Sequence, residues 1–122
     1  QQFEIFSTST NSNPFQNFDT SKNYFIYMNE NKSISFSGPD RLGFTIPVTT
    51  GWNTPADPLK TTSTITTLSQ SVSNNIRYIM KWDNLKQIFD IYSFSSSSNP
   101  FNTINKGDGF FLYSNDDDTF II

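Results

Sequence analysis

The sequence contains no histidine and no cysteine. Those two absences remove Ser-His-Asp and Cys-His nucleophilic catalysis, and with them nearly every zinc, copper and haem site. Without cysteine there are no disulfides, so the redox compartment leaves no mark on the chain. Basic residues are few and scattered, eight Lys and Arg against eleven Asp and Glu, for a net charge of −3. That balance argues against nucleic acid and against an anionic membrane surface as partners. No window approaches the roughly 18 consecutive apolar residues of a spanning helix, so no membrane insertion is expected.

What is present has the character of strands. Aromatics make up 16% of the 122 residues, 13 of them Phe, while Ser, Thr and Asn are abundant and Ala and Leu scarce. Such a composition suits pleated elements with one polar face. The length predicts a single β-domain over 1–122, large enough to bury well over half of its unfolded surface. The chain starts at Gln1 rather than Met, which points to a processed or excised segment.

The chain also repeats itself. Residues 3–36 recur as 89–122, at an offset of 86 and without a gap. Phe3, Ile5, Ser7, Asn13, Pro14, Phe15, Phe25 and Tyr27 return as Phe89, Ile91, Ser93, Asn99, Pro100, Phe101, Phe111 and Tyr113. Conservative pairs such as Phe6/Tyr92, Phe18/Ile104, Tyr24/Phe110, Ile26/Leu112 and Ile34/Phe120 fill the intervals. Residues 37–88 occur once, so one 86-residue unit (37–122) follows the second half of another (1–36). Two arrangements remain open: near-equivalent halves of one domain, or a cut from a longer tandem array.

Alternation predicts strands at Phe3–Ser7, Ser33–Ser37 and Gly43–Val48, with Tyr24–Met28, apolar on both faces, as a buried central strand or one at an interface. Gly51–Leu59, with two prolines, reads as an irregular loop. Ile65, Leu68 and Val72 lie at i, i+3 and i+7 and predict one short helix over about Ser63–Ser73. Ile76, Tyr78, Met80 and Trp82 alternate, and Asp83-Asn84 turns the chain into Leu85–Tyr92. The second copy adds strands at Phe110–Ser114 and Thr119–Ile122, joined by the acidic turn Asn115–Asp118. The fold class expected is all-β, a small sandwich or partly open barrel with one short helix.

By Trp82 the order of features is distinctive: Gly51-Trp52-Asn53 with Pro58, a short helix, Tyr78–Asp83, Phe89–Tyr92, Asn99-Pro100-Phe101 with Ile104, then Lys106–Tyr113. This order resembles a module of secreted prokaryotic surface proteins, often found in tandem on adhesins, S-layer-associated proteins and extracellular enzymes. Asn53 is followed by Thr54-Pro55 where the module has apolar residues, and Phe110-Phe111 replaces its Tyr-Trp. The module has no catalytic signature to carry over. The resemblance therefore implies an accessory or structural role.

Candidate chemistry is thin. A carboxylate pair could serve a glycosidase, but Asp40, Asp57, Asp83, Asp90 and Asp108 all occupy ordinary turn or strand positions. No catalytic residue is assigned, and the chain is not expected to be an enzyme. Asp116-Asp117-Asp118 is the densest charge, and calcium is the cofactor it would suit, with Asp108 and Asn115 as helpers. The repeat favours a solvated turn instead, because the equivalent positions are Glu30-Asn31-Lys32 and a lysine opposes a cation. Trp52 is the best candidate for a sugar-stacking platform, whereas Trp82, Phe89, Phe101, Phe110 and Phe111 are expected to fill the core. The glycines around Asp108 are expected to supply positive-φ positions rather than a phosphate loop. Asn31-Lys32-Ser33 is the one glycosylation sequon.

The function expected is a non-enzymatic structural subunit of a surface filament, appendage or layer. Its partners would be copies of itself in a head-to-tail polymer, with Phe3, Ile5, Phe25, Tyr27, Phe110, Leu112 and Ile122 as assembly contacts. The alternative is a carbohydrate-binding or adhesive module that contacts surface polysaccharide. Both readings place the chain outside the cell.

Overall fold

The computed structural model describes residues 4–19, 22–35, 45–55 and 62–121. Eight strands and one helix follow in order: β1 (Thr45–Val48), β2 (Gly51–Asn53), β3 (Ser63–Thr64), α1 (Ile65–Gln70), β4 (Ile76–Asp83), β5 (Ile88–Ser93), β6 (Thr103–Ile104), β7 (Phe110–Ser114) and β8 (Asp118–Ile121). All pairings are antiparallel. The main sheet has the order β2-β7-β4-β5, beside the two-stranded pairs β1-β8 and β3-β6. The fold class is thus all-β with one short helix, and no closed barrel forms among the described residues.

Helix α1 is six residues long, shorter than expected, because Ser63 and Thr64 belong to β3. Thr64 caps it, its hydroxyl accepting from the Thr67 N–H at 3.2 Å. Ser73 and Asn74 take positive φ and stop it. Ile65, Leu68 and Val72 fall on the buried side as the spacing predicts, and they meet Ile79, Ile104, Phe110, Leu112, Val48 and Phe120 in one core. The core lies between one face of the main sheet, the helix and the β1-β8 pair.

Several boundaries differ from expectation. Gly51–Asn53 is a strand rather than a loop; Gly51 enters at φ +101 and the segment then pairs with β7. Strand β5 begins at Ile88 rather than Leu85, because Asp83 Oδ1 accepts from the N–H groups of Leu85 and Lys86 and shapes a longer turn. The alternation in β4 also breaks. A bulge between Ile76 and Tyr78 shifts the phase, so Ile76 and Ile79 face the core while Tyr78, Met80 and Trp82 face away. Trp82 and the exposed Phe89 are therefore not core residues.

The two copies agree in their loops and differ in their strands. The Ser7 N–H donates to Asn13 Oδ1 at 2.8 Å, and Asn13 Nδ2 donates to the carbonyls of Ser7 and Thr10, each at 3.2 Å. In the second copy the Ser93 N–H donates to Asn99 Oδ1 at 2.8 Å, and Asn99 Nδ2 donates to Ser93 and Ser96 at 3.2 and 3.3 Å. The rings flanking each loop also meet alike, Phe6 with Phe15 at 5.6 Å and Tyr92 with Phe101 at 5.9 Å. Yet no strand forms among the described residues of the first copy, where Phe25, Ile26, Tyr27 and Met28 are exposed. The expected strands at Phe3–Ser7, Tyr24–Met28 and Ser33–Ser37 are not found in its described residues; Phe3, Phe36 and Ser37 lie outside them. The physical reason is pairing: β5 and β7 are held by β2 and β4, while among the described residues no strand pairs with residues 24–35.

Candidate functional site

The main sheet turns its second face outward, and that face is aromatic. Cross-strand register places Trp52 beside Tyr113, Tyr113 beside Tyr78, Phe111 beside Met80 and Phe89 beside Trp82. Two clusters result. In the first, Trp52 lies 6.4 Å from Tyr78 at 22° and 5.3 Å from Tyr113 at 81°, with the Arg77 guanidinium 5.1 Å above Tyr78. In the second, Trp82, Phe89 and Phe111 meet edge to face, and Phe25 of the first copy caps them. Its ring is 5.9 Å from Phe111 at 25°, and 6.2 and 5.9 Å from Trp82 and Phe89.

A polar clamp fixes this cap. Asn23 Nδ2 donates to the carbonyls of Phe110 at 2.6 Å and Pro55 at 3.1 Å, and a bridge joins Lys22 to Pro55. Gly109 packs beside the clamp: a Cβ there would stand 3.7 Å from Asn23 Cγ, an ordinary contact. Of the two glycines beside Asp108 only Gly107 takes a positive φ, +85.

The assembly candidates separate. Ile5 and Tyr27 are exposed, and Phe25 is held against the chain's own sheet. Phe110 and Leu112 are fully buried, because the pleat sends them toward α1. They cannot be surface contacts; the outward residues of β7 are Phe111 and Tyr113. Phe3 and Ile122 lie outside the residues whose side chains are described. Asn31 is exposed.

The acidic candidates are not gathered. Asp108 Oδ2 accepts from Lys81 Nζ at 3.1 Å and from the Asn105 N–H at 3.0 Å, at the opposite end of β7 from the Asp116–Asp118 turn. Asp117 Oδ1 accepts from the Thr50 N–H at 2.7 Å and its hydroxyl at 3.0 Å, which pins the β7–β8 turn to the β1–β2 turn. The Thr50 backbone donor, then the hydroxyl, holds the Asp117 carboxyl below its ordinary range. Asp118 Oδ1 accepts from the Thr119 N–H at 2.7 Å, while its Oδ2 is shut from solvent without a partner among the described residues. It borders an open groove of about 470 Å³ lined by Thr67, Gln70, Ser71, Ser73 and Thr119. The Asn115 N–H donates to the Asn75 carbonyl at 3.0 Å.

The carboxylates considered for catalysis are likewise occupied. Asp83 and Asp90 both meet Lys86 Nζ, at 2.9 and 3.1 Å. The Lys86 backbone donor and ammonium lower the Asp83 carboxyl, and the two carboxylates, Asp83 first, raise the lysine. Asp40 and Asp57 lie outside the described residues. No group of three acidic side chains comes together, and no helix is long and apolar enough to cross a membrane, among the described residues. No family model, curated protein or solved structure matches this chain.

Proposed function

We propose that this chain is a non-enzymatic structural module of an extracellular filament, appendage or layer, assembling through strand contacts between copies. One observation carries the reading: apolar side chains are exposed along the first copy and along the edge strand of the main sheet. Ile5, Phe18, Ile26, Tyr27, Met28 and Ile34 line the first copy, and Ile88, Phe89, Ile91 and Phe94 line or adjoin the edge strand β5. Edge strands of monomers are ordinarily blunted by lysine or proline, and β5 has neither. Its one charge, Asp90, is paired with Lys86. The resemblance to tandem surface modules supports the same reading. Electron microscopy of the full chain should show ordered filaments or sheets, and Ile91→Lys should reduce them to monomers by sedimentation. A wild-type chain that stays monomeric at high concentration overturns the reading.

A second reading, an accessory carbohydrate-binding module, draws on the half-buried rings of Trp52, Tyr78 and Tyr113 beside the exposed Arg77. Rings with polar tips and a nearby guanidinium suit sugar faces and hydroxyls. Tryptophan fluorescence titrated with soluble polysaccharide tests it; a response lost in Tyr78→Ala would favour it, and no response would remove it.

A further inference from the structure

The first copy holds half of a hydrophobic core without the other half. In the second copy Ile104, Phe110, Leu112, Ser114 and Phe120 are at most 1% exposed, packed under α1, β1 and β4. Their counterparts at the same offset are Phe18, Tyr24, Ile26, Met28 and Ile34. Four of these, Phe18, Ile26, Met28 and Ile34, are between 41% and 59% exposed. The local half of the arrangement is already built: the Asn13 loop matches the Asn99 loop, and Phe15 and Phe18 both contact Tyr24, at 5.8 and 4.8 Å. Phe25 is meanwhile fixed on Phe111. The segment is thus docked through Phe25, and Ile26, Met28 and Ile34, which match Leu112, Ser114 and Phe120, stay about half exposed.

We propose that this half-core is a docking surface for one kind of partner: a further unit with the character of Thr45–Asp83, that is, the β1, β2, α1 and β4 set of another repeat. The proposal rests on the strand-assembly reading above and names its partner. The observed pairing supplies the register. Leu112 pairs with Ile79 and Asn53, and Phe120 with Ile46. Ile26 therefore pairs with the incoming counterparts of Ile79 and Asn53, and Ile34 with that of Ile46. The partner is recognised by shape and alternation: an Ile/Leu/Val stripe on a short Ser/Thr-rich helix, and a strand whose bulge sends two isoleucines to one face. A charged or basic surface would not satisfy these apolar positions. The second copy's own hairpin fills this slot within the chain, so the incoming unit must come from elsewhere.

The test extends the full chain with an additional copy of residues 37–86 joined directly ahead of Gln1, which keeps the natural spacing of the repeat. Amide hydrogen exchange at Ile26 and Ile34 should slow by about a hundredfold or more, toward that of Leu112 and Phe120. The denaturant m-value should rise in proportion to the new buried surface. The same extension with aspartate in the added copy at its Ile79 position should lose the protection at Ile26 and keep it at Leu112. Unchanged exchange at Ile26 and Ile34 overturns the proposal. So does an added copy that stays unfolded while Leu112 and Phe120 remain protected, since the half-core would then have failed to complete it. A monomeric wild-type chain would remove the filament reading without touching this result. Unchanged exchange at Ile26 and Ile34 in the extended chain, alongside ordered filaments of the wild type, would leave the filament reading standing and remove this partner.

Discussion

Asn13 and Asn99 make the same hydrogen bonds in two settings, which separates a bond from its context. Asn99 closes a loop against the packed layer, and Asn13 closes one in a segment lacking its counterpart strands. Asn99→Ala should lower the unfolding free energy by about 1–3 kcal/mol, since it strips two carbonyls and an N–H of their partner. Asn13→Ala should stay within about 0.5 kcal/mol in the same denaturant titration. Asp117 gives a pH-dependent counterpart. Its carboxyl titrates below the ordinary 3.8 because Thr50 donates to the charged form. A carboxyl lowered on folding adds stability above its unfolded pKa and loses it as pH falls through the folded one. The melting temperature of Asp117→Asn should therefore fall below wild type at neutral pH and converge with it in strong acid. A constant gap would show that the charge is not responsible. Because Asp108 is engaged by Lys81 and Asp117 by Thr50, a calcium chelator should leave the melting temperature unchanged; a fall of several degrees would reveal a bound cation that the folded state requires.

At the scale of elements, Leu68 on α1 and Ile79 on β4 belong to one core, and both are buried. Leu68→Ala and Ile79→Ala should each cost about 2–5 kcal/mol. Ile91→Ala, on the exposed edge, should cost well under about 1 kcal/mol for the isolated chain, by thermal or denaturant unfolding. How much of this was legible varied with the kind of signal. The helix stripe, the β4–β5 hairpin and the strands of the second copy follow from local periodicity, and they form. Strand β2 was hidden because its neighbouring prolines look like a loop, while its pairing with β7 is non-local. The bulge at Ile76 and Tyr78 was hidden for a related reason: a phase shift is set by the partner strand, and one strand's sequence cannot reveal it. It moved Trp82 and Phe89 from the core to the outer face, and so the aromatic cluster under Phe25 was not foreseen. Trp52 was singled out, but its companions Tyr78 and Tyr113 follow only from register. The first copy shows the limit most clearly, since identical alternation gives strands only where partner strands exist.

The described residues divide into a cooperative body and a segment docked on its outer face. Residues 45–121 contain the fully buried core, all the regular strands and the helix among the described residues. Residues 22–35 are joined to that body by the Asn23 clamp, the Lys22 bridge and the Phe25 ring. Local opening costs little where few apolar contacts must break, so the two parts should differ in stability by most of the global unfolding free energy. Limited proteolysis should cut first beyond Phe25, between Tyr27 and Ile34, and leave the body intact by mass spectrometry. Phe25→Ala should speed that cleavage, because it removes a large ring that seats the segment on the sheet, while the melting temperature of the body stays near wild type. The rate responds to Phe25 only if opening precedes cutting, so the variant distinguishes a docked segment from one that is simply free. Equal cleavage of wild type and Phe25→Ala would mean that the aromatic cap contributes no binding energy. A protease-resistant segment in both would mean that it belongs to the same cooperative unit as the sheet.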